Sequence, residues 1–81
     1  MMTKDVVLSR VAAIVTTLAE VNGTPESMLY ILCDMNMADY ETLRDILVRA
    51  NLVTIKGHFV TLTEQGEQTA IKLNLVINKA N

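Results

Sequence analysis

The 81-residue chain has one cysteine, one proline, one histidine and no tryptophan. A single cysteine cannot form an internal disulfide or a cysteine-based metal site, and we expect neither a metal nor a cofactor. The longest apolar run, residues 28–33, is far shorter than the roughly 20 residues that span a bilayer. The first residues also lack a basic stretch followed by a small-residue cleavage site. We therefore expect a soluble, cytoplasmic protein with no membrane partner.

Charged residues make up only 20% of the chain, and seven Lys and Arg against nine Asp and Glu give a net charge of -2. No global positive field therefore attracts nucleic acid. The single histidine has no nucleophile at a recognisable spacing, and the carboxylates are scattered, so no acid, base and nucleophile set is present. The three glycines are too dispersed to form a phosphate-binding loop. We expect that the protein is not an enzyme.

Hydrophobic residues make up 51% of the chain, which excludes an intrinsically disordered protein. The length allows one domain at most, and we assign residues 1–81 to a single domain. A domain this small buries only about 60% of the surface of its unfolded chain. We therefore expect a second copy to cover part of the apolar surface, which makes the chain a homodimer.

Apolar residues recur at helical spacing over residues 4–21, and Asn22-Gly23 can end this first helix in the left-handed conformation. The apolar stripe covers about half of the helix circumference, more than packing against a single core requires. The additional width predicts a dimer contact through Leu8, Ala12, Val15 and Ala19.

A second helix is predicted to start at Thr24, whose side chain can cap it, with Pro25 at its first position. It runs to about Met35, and Asn36 then turns the chain in the left-handed conformation. Asp39 is the predicted N-cap of a third helix that ends near residue 50. The inner faces are predicted to be Met28, Ile31, Leu32 and Met35 in the second helix, and Leu43, Ile46, Leu47 and Ala50 in the third.

After Asn51 the apolar period changes from 3.6 to 2, which predicts a β-hairpin. Gly57 and His58 form its two-residue turn, predicted as type II′ because glycine takes the first central position. Phe59 is then expected to point outward. The register that follows pairs Ile55 with Val60 and Val53 with Leu62.

Thr63 is the predicted cap of a last helix. Its inner stripe is expected to consist of Ala70, Leu73, Val76 and Ile77. Ile71 and Leu75, four residues apart, form a second apolar patch that we assign to the dimer contact.

The order of helix, helix, tight turn, helix, hairpin and helix resembles the winged helix-turn-helix family over nearly the whole chain. Its most specific segments are residues 49–53, Arg-Ala-Asn-Leu-Val, and residues 62–66, Leu-Thr-Glu-Gln-Gly. They resemble the family's helix end, small residue, glycine, leucine and valine, followed after the wing by leucine-threonine-x-x-glycine. Asn51 and Asn36 stand where the family usually has glycine. The resemblance implies a mainly α fold with a small antiparallel β-hairpin, the wing.

The resemblance also implies that the third helix enters the major groove of DNA while the wing contacts the flanking backbone or minor groove. Phosphates require Lys, Arg or N–H donors, and base edges require side chains that form hydrogen bonds. The candidate DNA contacts are Tyr40, Thr42, Arg44 and Arg49 on the third helix, and Lys56 and His58 at the wing tip. We therefore expect a homodimeric transcription regulator that binds double-stranded DNA.

The charge of the helix-turn-helix segment favours a different function. Between Thr24 and Asn51, two arginines and five acidic residues give a net charge of 2 − 5 = -3. Glu41 and Asp45 lie near the middle of the outward face of the third helix, where a carboxylate repels phosphate. The alternative is a winged-helix module that binds another protein and not DNA.

Overall fold

The structure, a computed structural model, describes the backbone of residues 3–80 and the side chains of residues 3–73. Within this range the chain forms four helices and a three-stranded antiparallel sheet, in which β3 lies between β1 and β2. The predicted order of helices and hairpin is confirmed. The elements are α1 (Lys4–Val21), β1 (Thr24–Pro25), α2 (Glu26–Leu32), α3 (Met37–Arg49), β2 (Val53–Lys56), β3 (Phe59–Leu62) and α4 (Glu64–Ala80).

The core lies where α1 meets α3, α4 and β3. Val15 was predicted to contact a second subunit, but its side chain is 0% exposed and belongs to the core of its own chain. Because three elements pack around α1, one core covers more of its circumference than a single neighbour would. The buried core side chains are Ile14, Val15, Leu18, Leu29, Tyr40, Leu43, Leu47, Val53, Val60 and Ala70.

The first helix has the predicted bounds. Thr3 caps its start, since the Thr3 side chain accepts a hydrogen bond from the N–H of Val6. Asn22 ends the helix at a φ of 58°, in the predicted left-handed conformation. None of the described helices combines the length and the hydrophobicity that crossing a membrane requires.

The segment after α1 differs from the prediction. Thr24 is not a helix cap, because Thr24 and Pro25 form β1, where they pair with Val60 and Phe59 of β3. The edge of β3 offers backbone partners, and Thr24 is buried there at 7% exposure. The helix therefore starts at Glu26, with Pro25 in the cap position and no side chain capping it.

The turn between α2 and α3 is also displaced. The helix α2 ends at Leu32, and Asp34, not Asn36, has the left-handed φ of 52°. Asn36 is the N-cap of α3, since its Oδ1 accepts a hydrogen bond of 2.8 Å from the N–H of Asp39. The predicted cap, Asp39, lies in the first turn of α3.

The inner faces of α2 and α3 are rotated from those predicted. In α2 the buried residue is Leu29, whereas Met28, Ile31 and Leu32 are 47%, 60% and 50% exposed. The prediction for α2 was wrong because a helix of seven residues is too short for its apolar period to fix its orientation. In α3, Leu43 and Leu47 are buried as predicted and Tyr40 joins them, whereas Ile46 and Ala50 are exposed.

The hairpin has the predicted register, with Val53 opposite Leu62 and Ile55 opposite Val60. Its turn is of type I′ and not type II′, because Gly57 and His58 both have positive φ, at 51° and 70°. Phe59 is 44% exposed, in agreement with its predicted outward position.

The start of α4 explains why its sequence contains Leu-Thr-x-x-Gly. Thr63 caps the helix, since its Oγ1 accepts from the N–H of Gly66 at 3.0 Å and donates to the carbonyl of Asn51 at 2.6 Å. Asn51 has the left-handed φ of 58° that the family pattern gives to glycine. Gly66 is buried against the carbonyl oxygen of Leu52, which leaves no room for a Cβ atom.

Ala70 is buried and Leu73 packs against the core, both as predicted for the inner stripe of α4. The side chains of Leu75, Val76 and Ile77 lie outside the described residues.

We expect Gly66→Ala to destabilise the protein by about 1–3 kcal/mol, because the added methyl group meets the Leu52 carbonyl. Alanine is otherwise the better helix former, so the sign of the effect identifies the steric clash. Urea denaturation measures it, with the exposed helical substitution Gln68→Ala as control, expected within about 0.5 kcal/mol of wild type. A neutral or stabilising Gly66→Ala would contradict the proposed clash.

Candidate nucleic-acid interface

The predicted DNA contacts divide into exposed and buried side chains. Thr42 and Arg49 on α3 and Lys56 on the wing are exposed. The His58 side chain, at the wing tip, is 91% exposed, whereas that of Arg44 is only 34% exposed.

Tyr40 was predicted to contact DNA, but it is only 2% exposed. Its ring packs near that of Tyr30, with the ring centroids 5.9 Å apart, and its hydroxyl donates a 2.8 Å hydrogen bond to Glu26. Tyr40 is therefore a core residue that supports the surface from below, and it is not a candidate DNA contact.

Three of the predicted contacts converge on the carboxylate of Glu26, the first residue of α2. Its Oε2 accepts hydrogen bonds from the Tyr40 hydroxyl at 2.8 Å and from Nη1 of Arg44 at 3.2 Å. Its Oε1 lies 3.6 Å from Nδ1 of His58. The N–H of Glu26 also donates to the carbonyl of His58 at 2.8 Å. One residue thus joins α2, α3 and the wing tip, and we call this set the Glu26 cluster.

The Glu26 carboxylate remains charged although its side chain is only 15% exposed. Burial acts to raise its pKa, but the hydrogen bonds from Tyr40 and Arg44 and the positive charge of Arg44 outweigh that effect, so the pKa is lowered. Burial and the hydrogen bond to Glu26 together raise the pKa of Tyr40, which therefore stays protonated as a donor. The hydrogen bond to Glu26 raises the pKa of the Arg44 guanidinium.

The positively charged side chains of this surface therefore differ in whether they are paired with a carboxylate. Arg44 is paired with Glu26, and its Nε lies 3.9 Å from Asp45. Among the described side chains, neither Arg49 nor Lys56 lies within 4.0 Å of a carboxylate oxygen. Arg49 and Lys56 thus present unpaired positive charge to a ligand. Among the same side chains, no group of three His, Cys, Asp or Glu residues could hold a metal ion.

The predicted dimer contacts lie elsewhere, on α1 and α4. Leu8 and Ile71 are 59% and 53% exposed, Ala19 is exposed and Ala12 is half-buried. Ala19 and Ile71 line the same groove, of about 660 Å³, between the two helices. These four predicted residues therefore have side chains that are at least partly accessible, unlike Val15.

Comparison with known proteins shows the fold. No protein-family model and no curated protein sequence matches the chain. Ligand-free NadR superposes with a TM-score of 0.82 at 20% sequence identity, over 88% of this chain and 55% of NadR. SSV1 F-93 superposes with a TM-score of 0.73 at 23% identity, over 88% of each chain. Both are winged-helix proteins. The chain has the winged-helix fold.

In the winged-helix fold, α2 and α3 correspond to the two helices of the helix-turn-helix, and β2 and β3 correspond to the wing. The resemblance noted from the sequence is thus confirmed for the fold. This chain spans about half the length of NadR, because the superposition covers 55% of NadR.

Glu26 was not predicted from the sequence as part of the site. Its position 14 residues before Tyr40 and 32 residues before His58 gives no helical or strand spacing that would join them. Only the pairing of β1 with β3 brings the start of α2 to the wing tip. The one local signal, a Thr-Pro pair before an acidic residue, indicated a helix start and not a strand.

We expect Glu26→Gln to destabilise the protein at pH 7 by about 1–3 kcal/mol, because it removes a charged acceptor from two hydrogen bonds. Folding lowers the pKa of Glu26 from 4.5. The stability that the charged carboxylate contributes is therefore present above pH 4.5 and is lost as pH falls through the pKa of the folded state. The difference in free energy of unfolding between wild type and Glu26→Gln should therefore become smaller below pH 4.5. Urea denaturation as a function of pH measures this difference.

The matched control for this pH dependence is Glu41→Gln, which removes an exposed carboxylate on α3. We expect no comparable destabilisation at pH 7 and no comparable change with pH. If the difference in free energy of unfolding between wild type and Glu26→Gln does not change with pH, the charge of the Glu26 carboxylate does not stabilise the fold as we propose.

Proposed function

We propose that the protein is a DNA-binding transcription regulator that acts as a homodimer, with α3 in the major groove and the wing on the flanking backbone. The observation that carries the proposal is the Glu26 cluster, because one carboxylate contacts both Arg44 of α3 and His58 of the wing. The recognition helix and the wing tip therefore form one continuous surface. The winged-helix fold of NadR, a transcription regulator, and of F-93, a DNA-binding protein, supports the proposal.

On this surface we assign phosphate contacts to Arg49 and Lys56. Both are exposed, and neither is paired with a carboxylate among the described residues. An unpaired cation attracts phosphate regardless of sequence, and it releases counterions when it binds. His58 lies at the turn of the wing and can add a donor, and Thr42 can form a hydrogen bond from the exposed side of α3.

Within the described residues, we assign the dimer contact to α1 and α4, through Leu8, Ala12, Ala19 and Ile71. The groove that Ala19 and Ile71 line, and the exposure of Leu8, support a partner at this place. Two-fold symmetry would place two copies of α3 in successive major grooves, about 34–36 Å apart, on a pseudo-palindromic site.

The second candidate function is binding of another protein. Met28, Ile31 and Leu32 form an exposed apolar stripe along α2, at positions that would normally face a core. Glu41 and Asp45 are exposed on α3. A partner for this surface would present apolar residues flanked by basic ones, since such residues complement both features.

DNA binding is tested by fluorescence anisotropy on a mixed-sequence duplex between about 50 and 200 mM salt. We expect the logarithm of the association constant to fall linearly with the logarithm of the salt concentration, with a slope of about -0.9 for each phosphate contact. Arg49→Ala removes one contact per subunit, so the magnitude of the slope should decrease by about 1.8 for a bound dimer and by about 0.9 for a monomer. Lys56→Ala should act in the same way.

The control for this experiment is Lys4→Ala, which removes an equal charge from the first turn of α1. We expect it to leave the slope unchanged. If wild type does not bind the duplex even at about 50 mM salt, the DNA-binding proposal is wrong and the protein-binding function is favoured.

We expect Ile71→Glu to convert the dimer to a monomer, because it places a charge in the proposed subunit contact that α1 and α4 form. Light scattering after size-exclusion chromatography measures the mass. The matched control is Ile31→Glu, a similarly exposed isoleucine on α2, which should leave the dimer intact. Loss of the dimer in the Ile31 variant alone would place the contact on α2.

A further inference from the structure

We propose that Glu26 is a positioning residue for sequence recognition, which holds the Arg44 guanidinium in the orientation that donates to a base edge. This inference rests on the proposed binding of DNA. Glu26 itself does not contact the DNA, because its side chain is only 15% exposed and lies beneath Arg44 and His58. Its role is exerted through Arg44.

The first support is the number of constraints on the Glu26 carboxylate. Oε2 accepts from the Tyr40 hydroxyl and from Arg44, while the backbone N–H of Glu26 is held by the carbonyl of His58. Tyr40 is itself fixed in the core beside Tyr30. The carboxylate is therefore held from the core side and from the wing, and it restrains Arg44 in turn.

The second support is the contrast between Arg44 and the other cations. A charge-assisted hydrogen bond to a nearly buried carboxylate reduces the attraction of Arg44 for phosphate at a distance. The guanidinium has five donors, so one bond to Glu26 leaves others for a ligand, and a third of the side chain is exposed. Base recognition requires donors in a fixed orientation, whereas phosphate attraction requires mainly free charge. Arg44 therefore suits sequence recognition, and Arg49 and Lys56 suit affinity.

Asp45 provides a natural comparison with Glu26. Its Oδ1 lies 3.9 Å from Nε of Arg44, beyond hydrogen-bond distance, and its side chain is 65% exposed. Asp45 thus adds negative charge near Arg44 without orienting it. Comparing variants of Glu26 and Asp45 therefore separates the effect of negative charge near Arg44 from the effect of a hydrogen bond that orients it.

The test uses a duplex that wild type selects from a random library and a scrambled duplex of the same composition. The measurement is the ratio of the two affinities for wild type, Glu26→Gln, Asp45→Asn and Arg44→Gln. We expect Glu26→Gln to reduce this ratio about tenfold, mainly by strengthening binding to the scrambled duplex, because a neutral amide holds Arg44 less strongly than a carboxylate and leaves its charge available to phosphate. The salt slope on the scrambled duplex should increase in magnitude by about 0.9 for each additional phosphate that Arg44 neutralises.

Asp45→Asn removes the same charge from the same surface, and we expect it to strengthen binding to both duplexes while keeping the ratio. Arg44→Gln should lower the ratio as far as Glu26→Gln does, and the double variant should lower it no further. Circular dichroism monitors folding. If Glu26→Gln does not fold, Glu26→Asp replaces it, since it keeps the charge but withdraws the carboxylate, and the same loss of the ratio is expected.

A folded Glu26 variant that keeps the wild-type ratio overturns the inference, as does an Asp45→Asn variant that loses the ratio equally. Wild type that binds DNA but selects no sequence overturns the inference and leaves the proposed DNA binding in place. Wild type that binds no duplex at about 50 mM salt overturns both.

Discussion

The pairing of Thr24 and Pro25 with the middle strand of the sheet is the constraint on which the arrangement of the surface depends. This two-residue strand brings the start of α2 to the wing tip, where the N–H of Glu26 binds the carbonyl of His58. The Glu26 side chain is thereby placed beneath α3, where it reaches Tyr40 and Arg44. The hairpin also packs against the helices through Val53 and Val60, but it is this pairing that places its tip beside Glu26.

The charge distribution follows from the same arrangement. The helix-turn-helix segment is acidic overall, but its Glu26 carboxylate is nearly buried and occupied by internal hydrogen bonds. Among the described side chains, the exposed charges of α3 and the wing include the unpaired cations Arg49 and Lys56 and the carboxylates of Glu41 and Asp45, of which Asp45 lies near Arg44. Such a mixed surface attracts a polyanion less strongly than a uniformly basic one. In the proposed dimer, two copies would combine their cations and so strengthen the attraction for phosphate.

Sequence periodicity was reliable where a long element or a tight turn supported it and unreliable for a short helix. It predicted the bounds of α1, which is 18 residues long, and the register of the hairpin, which the two-residue turn at Gly57 and His58 fixes together with the alternation. It failed for α2, where seven residues cannot distinguish an inward from an outward apolar stripe. A helix does start directly after the Thr-Pro pair, but the predicted cap role of Thr24 was wrong, because Thr24 and Pro25 form a strand of two residues, which is too short to have a period.

The sequence by itself determined the order of the four helices and the hairpin, the winged-helix fold and the left-handed positions at Asn22 and Asn51, because these depend on periodicity and on residue conformation over neighbouring positions. Tertiary structure alone decided that Tyr40 and Val15 are buried and that Glu26 meets both Arg44 and His58. Val15 is buried by the packing of α1 against α3, α4 and β3, whereas Glu26, Arg44 and His58 are far apart in the sequence and meet only because α2, α3 and the wing pack against one another.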